Sequence, residues 1–183
     1  MSRRGLIFVF LLACAAQLAA PAWMIGRREW ILRHGERFRF KTAPVDPFDA
    51  FRGRYVALRL ADRSVTAAPG VELEKGRRVW VGLRTDEQGF ARFAGAALER
   101  PASPCLEARV EYASGNSATI YSPIDRFYMP EDLAPRAEAE YRKFATQATN
   151  GASVAVRVWR GQAVVEDLYF GDRSVLDYLK TAK

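Results

Sequence analysis

From Gly5 to Ile25 the chain carries no charged side chain for 21 residues. Leu6 to Leu12 is an unbroken run of large apolar residues, and an alanine-rich half follows. At 1.5 Å per residue, this stretch makes a helix of about 30 Å, long enough to cross a bilayer once. Arg3 and Arg4 precede it, Arg27 and Arg28 close it, and Trp23 and Trp30 stand where interfacial aromatics would. The following segment, Arg27 to His34, is expected to carry the helix out of the membrane, with Gly35 ending it.

Beyond Gly35 the period drops from helical to two. Phe38 and Phe40 alternate with Arg37, Arg39 and Lys41, which predicts a half-buried strand. The same alternation puts Val56, Leu58 and Leu60 on one strand face, and Val79, Val81 and Leu83 on another with Trp80 opposite. Asp86-Glu87-Gln88-Gly89 reads as a hairpin connection returning through Phe90 to Leu98. Leu106, Ala108, Val110 and Tyr112 form the cleanest face, set against Glu107, Arg109 and Glu111. Extended segments are expected at Thr119–Tyr121 and Arg126–Met129.

One soluble stretch is helical. Leu133, Ala137, Tyr141, Phe144 and Ala148 recur at helical spacing between Asp132 and Ala148. Pro135 fits only a first turn, so the helix is expected to begin near Ala134, and Asn150-Gly151 is expected to end it. Val154, Val156 and Val158 then mark a strand, Arg160-Gly161 a turn, Ala163 to Phe170 its partner, and Asp172 to Leu179 a short terminal helix. Several strands, one helix and two more strands predict a β-dominated α+β fold: an N-terminal transmembrane helix, then an antiparallel, partly closed β domain with a packed helix. The division is residues 1–26 for the cytoplasmic tip and anchor, and 27–183 for the extracytoplasmic domain.

The apolar segment has three readings: a retained anchor, which is favoured; a signal peptide cleaved near Ala20–Ala22; or a lipoprotein signal, since Leu11-Leu12-Ala13-Cys14 has the form of a lipobox. Against the last, the chain stays apolar after Cys14 as far as Ile25. Both flanks are basic, but the N-terminal tail is only four residues, which favours its staying in the cytoplasm. In a Gram-negative bacterium the chain is then a single-pass inner-membrane protein with its domain in the periplasm. Cys14 and Cys105 are not expected to meet in a disulfide.

Charge sharpens this picture through its placement. Of the formal +7, residues 27–63 contribute +5 (ten Lys/Arg, five acids), Arg3 and Arg4 contribute +2, and residues 64–183 contribute zero. A basic collar beside a membrane segment attracts anionic head groups, so the lipid bilayer is the first expected partner. Nucleic acid is not expected, for no aromatic RNA-binding motif or helix-turn-helix pattern is present.

Candidate chemistry is sparse. His34 is the single histidine, which argues against a zinc site or a Ser-His-Asp triad. No glycine-rich phosphate loop occurs, and no cofactor or metal is expected. Carboxylates remain: Asp46 and Asp49 on a proline-rich loop, and Glu131 beside Asp132 at the helix entrance. Brought together, Asp46, Asp49 and Glu131 would serve a membrane-bound hydrolase or lyase as acid and base. The favoured reading is structural, with Asp46 in a turn and Glu131 and Asp132 at the positive end of a helix dipole.

The segment from Lys41 through Pro44-Val45-Asp46-Pro47 to Gly53-Arg54-Tyr55-Val56-Ala57-Leu58-Arg59-Leu60 resembles the GDYXXLXY protein family. That family is named for a Gly-Asp-Tyr-x-x-Leu-x-Tyr motif preceded by a Pro-x-Asp-Pro element. Gly53, Tyr55 and Leu58 match; Arg54 replaces the motif's Asp with the opposite charge, and Leu60 replaces its last Tyr. Tyr128-Met129-Pro130-Glu131 resembles the family's aromatic-x-Pro-Glu element before a helix. The resemblance implies a membrane helix leading into a small domain of unknown activity, with a multi-spanning membrane protein as partner. It also implies a defining surface at Asp46, Arg52, Gly53, Tyr55, Tyr128 and Glu131. The expectation is therefore a non-enzymatic interaction or accessory domain.

Overall fold

The structure is a computed structural model that describes residues 3–44, 55–147 and 151–181, with the backbone alone at residues 4 and 6. The loop carrying Asp46, Asp49, Arg52, Gly53 and Arg54 lies outside the described residues, as does Ala148.

A single helix, α1 (Arg3–His34), joins the apolar stretch to the basic segment after it without a break at Pro21. Gly35 ends it as expected, its N–H donating to the Ile31 carbonyl at 2.8 Å. There is no room here for a side chain: a Cβ on Gly35 would lie 2.6 Å from that carbonyl oxygen. From residue 7 onward α1 is long and apolar enough to cross a membrane, and its apolar window is not buried against the rest of the chain. Ile31, near its end, is buried.

The chain then builds two five-stranded antiparallel sheets. The first has the order β12-β11-β10-β1-β3, from β1 (Glu36–Ala43), β3 (Arg59–Leu60), β10 (Ala152–Trp159), β11 (Gln162–Phe170) and β12 (Arg173–Ser174). The second has the order β4-β8-β7-β5-β6, from β4 (Ser64–Thr66), β5 (Arg78–Thr85), β6 (Ala91–Ala97), β7 (Cys105–Ser114) and β8 (Ser117–Tyr121). A ribbon of β2 (Tyr55–Ala57) and β9 (Arg126–Tyr128) completes the strands. The helices α2 (Ala134–Ala145) and α3 (Val175–Thr181) pack on the first sheet.

The second sheet nearly closes on itself. Ala67 bridges Ala96 between its two outer strands, and the Ala68 N–H donates to the Ala96 carbonyl at 2.8 Å. Closure removes the exposed edges that invite aggregation. Val65, Val79, Val81, Val110 and Ile120 fill the interior, each at most 3% exposed. A larger core, with Phe38, Phe40, Leu106, Val154, Val156 and Leu168, lies between the first sheet and its helices. Phe93 packs against both cores and meets Phe40 at a centroid distance of 5.7 Å.

The expected alternations hold in β1, β5 and most of β7, whereas in β10 Val154, Val156 and Val158 are buried together with Ser153 and Ala155 between them. Four other details differ. Val56, Leu58 and Leu60 are all buried, but their strand is split at Leu58, because the chain leaves its ribbon partner β9 and joins β1. Tyr112 does not share the buried face of Leu106, Ala108 and Val110; a β-bulge between Val110 and Tyr112 turns it outward, and it is 64% exposed. The soluble helix stops at Ala145 rather than at Asn150-Gly151, with Thr146 capping and the Thr146 hydroxyl donating to the Lys143 carbonyl. Leu133, not an acid, takes the N-cap position, and the Pro130 carbonyl accepts the N–H groups of Leu133 and Ala134. Both cysteines are free, and Cys105 is buried.

On the outward face of the first sheet, one carboxylate ties three strand positions. Glu166 accepts from Arg157 at 2.8 and 2.9 Å and from Arg37 at 2.6 Å. Burial pushes the Glu166 carboxyl up, but the guanidinium hydrogen bonds outweigh it and hold its pKa below the ordinary value. A depressed carboxyl stabilises the fold above its unfolded pKa and loses that stabilisation as pH falls through the folded one. Glu166→Gln is expected to cost about 1 to 2 kcal/mol at neutral pH, discounted for a cluster that is partly solvated. Urea titrations check the sign: the gap between variant and parent should shrink as pH falls through and below the ordinary carboxylate range.

Candidate membrane-facing site

The strand register brings two of the expected surface residues together. Tyr55 faces Tyr128 across the β2–β9 ribbon, with ring centroids 6.0 Å apart and planes at 58°. Arg126, two residues before Tyr128, lies over the Tyr55 ring at 5.3 Å and pairs with Asp125 at 3.4 Å. Hydrogen bonding to Tyr128, then the Asp125 charge, raises the Arg126 pKa. Tyr128 is 56% exposed, so this aromatic pair with its guanidinium forms an outward surface rather than core. Glu131 is exposed on the connection from β9 to α2. Asp46, Asp49, Arg52 and Gly53 lie outside the described residues, so no distance relates them to Glu131. Among the described residues no group of three or more His, Cys, Asp or Glu side chains could hold a metal ion.

Concave surfaces lie elsewhere, where α1 meets the domain. The β10–β11 hairpin runs down the side of the helix. Arg157 reaches the Gly35 carbonyl at 3.2 Å, while Trp159 and Arg160, at the hairpin tip, share a cavity of about 460 Å³ with Trp23, Gly26 and Trp30 of α1. A two-residue turn makes this tip: Trp159 pairs with Gln162, and Arg160 and Gly161 both adopt positive φ, 49° and 85°. Such a turn matches the natural twist of a hairpin.

Beside it opens a cavity of about 690 Å³ between α1, β7 and the start of β11, with Met24, Arg27, Arg28, Arg109 and Tyr121 among its walls. Arg78 and Glu107 also line it and pair with each other at 3.3 Å. The cavity thus holds four guanidiniums to one carboxylate. No ion pair engages Arg27, Arg28 or Arg109 among the described residues. A third hollow of about 290 Å³ continues past Arg28 and Pro123 to Arg126 and Tyr128, which joins the tyrosine ribbon to the same face.

The basic collar is therefore not the one that linear charge counting describes. Arg37, Arg39 and Arg63 are spent on Glu166, Asp172 and Glu111 from later parts of the chain. Arg109 and Arg160, from the part of the chain with no net charge, join Arg27 and Arg28 instead. Their proximity is a product of topology and has no signal in the local sequence. His34 stacks on Trp30 at 4.0 Å and takes no part in a ligand cluster among the described residues.

No curated protein and no solved structure matches the chain. A family model does, across the end of the apolar helix, both sheets and α2: over residues 17–168 the chain matches the GDYXXLXY protein model, and it belongs to that family.

Proposed function

We propose that this is a membrane-anchored, non-enzymatic accessory domain, held against the outer face of the bacterial inner membrane by α1. The observation that carries this reading is the continuity of α1. An apolar segment of membrane-spanning length passes without a break into the turns where Ile31 is buried against the domain. An anchor of that kind is a rigid stalk, and it fixes which face of the domain meets the lipid. On this reading α1 starts in the cytoplasm and the domain lies in the periplasm. The tyrosine ribbon and the Glu131 connection offer an exposed surface for a multi-spanning membrane partner.

Alkaline carbonate extraction followed by intact-mass analysis tests the anchor. The expected result is a chain that stays in the membrane pellet and retains residues 5–25. A freely soluble mature chain lacking them, with no acyl group, would overturn it. For the partner, a mild-detergent pull-down with α1 intact should recover a stoichiometric multi-spanning protein, and Tyr128→Ala should weaken that recovery.

A further inference from the structure

We infer that the cavity between α1 and β7 is a head-group site for one anionic phospholipid, a claim that rests on the anchored reading above. Met24 belongs to the uncharged stretch that ends at Ile25, and it lines the same cavity as Arg27, Arg28 and Arg109. If α1 lies in a bilayer, that cavity opens where head groups lie. Its walls divide as a phospholipid does. Three guanidiniums without acidic partners suit a phosphodiester, because each offers several fixed N–H donors to phosphate oxygens. The Tyr121 ring, half exposed, stands beside them.

An apolar side continues from the basic one. Arg27 and Ile31 line both this cavity and the neighbouring one, where Trp23, Trp30 and Trp159 gather, with Arg160 over the Trp159 ring at 5.8 Å. Trp23 is 73% and Trp30 54% exposed on the helix, unlike the buried core aromatics. Indole rings with nearby arginines are what the membrane–water boundary favours. Charge selects the occupant. One carboxylate, Glu107, lines the cavity, and Arg78 engages it, so a zwitterionic head group would bring a cation among uncompensated cations. A diester with a neutral head group, as in phosphatidylglycerol, brings none.

The test uses the full-length protein with α1 intact, in mild detergent. It is titrated with phosphatidylglycerol or phosphatidylcholine, and bound lipid is counted by native mass spectrometry. One phosphatidylglycerol should be held at least about tenfold tighter than phosphatidylcholine. Arg109→Gln should weaken it about fivefold, as should Arg28→Gln, while Arg33→Gln, whose guanidinium pairs with Glu29 outside the cavity, should not. Thermal melts check that each variant is folded, and two independent arginines keep the test open if one variant is not. Equal retention of the two lipids would overturn the inference, as would parent-like binding by both folded variants. Displacement of the lipid by millimolar inorganic phosphate would overturn it too, since it would make the site one for soluble phosphate. The intact mass from the same spectra reports whether residues 5–25 are present, so loss of the anchor is told apart from loss of lipid preference.

Discussion

Gly161→Ala should destabilise the domain by about 2 to 4 kcal/mol, from backbone strain and overpacking together. Gly161 holds the second position of the β10–β11 turn at φ 85°, where a Cβ is disfavoured. Its surroundings are closed as well: an added Cβ would lie 2.2 Å from Cζ3 of Trp80. The position is also a joint between the two sheets, since the Gly161 carbonyl accepts the Glu107 N–H at 2.8 Å and bridges Leu106. The two causes can be separated. In a Trp80→Leu background the steric part should vanish, leaving about 1 to 2 kcal/mol for the φ alone. Chemical denaturation of the four proteins of this cycle is the measurement. A cost unchanged by Trp80→Leu would show that the contact with Trp80 does not matter.

Phe170→Ala should cost more, about 3 to 5 kcal/mol. Phe170 is 2% exposed at the end of β11. It stacks on Phe144 of α2 with centroids 5.0 Å apart and planes at 4°, and takes the edge of Tyr178 of α3 at 5.4 Å. Phe144 and Tyr178 also meet edge to face at 5.4 Å, so three elements share one aromatic cluster. Truncating the strand's ring removes the surface on which both helices rest. Hydrogen exchange should show α3 losing protection first, because Val175 and Leu179 are its only fully buried positions among the described residues. Tyr178→Ala should cost less, since its ring lies at the edge of the cluster and its hydroxyl donates to Glu140 at a long 3.2 Å.

Much of the fold was legible because most strands bury one face. A period of two survives where a strand buries one face alone, as in Phe38 and Phe40 of β1, or Val79, Val81 and Leu83 of β5. It misleads where geometry changes within a strand. Tyr112 continues the apolar alternation in sequence, yet the bulge before it puts it in solvent. Leu58 continues it too, yet the chain changes sheets there. The short strand Ser64–Thr66 carries too few residues to show a period, and the bridge from Ala67 to Ala96 that closes the second sheet joins two small residues with no pattern of their own.

The site was legible in part. Family resemblance put Tyr55 and Tyr128 on one expected surface, but that they face each other across a ribbon is seen only in the strand register. The arginine cavity was visible only in half. Arg27 and Arg28 stand beside the apolar segment in sequence, but Arg78 and Arg109, partners across β5 and β7, reach it by strand pairing, which no local composition reports. Ion pairs such as Arg37 with Glu166 explain the reverse error: a base counted as collar is neutralised by an acid 129 positions away.

The orientation of the domain on the bilayer can be read directly. With Cys14 and Cys105 replaced, a single fluorophore is placed at Arg160 or at Gln88, and the anchored protein is reconstituted into vesicles containing head-group-quencher lipids. Arg160 shares the Trp23 cavity, whereas Gln88 accepts from Lys41, seven residues beyond the end of α1. Strong quenching at position 160 and little at position 88 is the result expected if α1 docks the hairpin tip at the lipid surface. Equal quenching at both positions, or none at either, would contradict it.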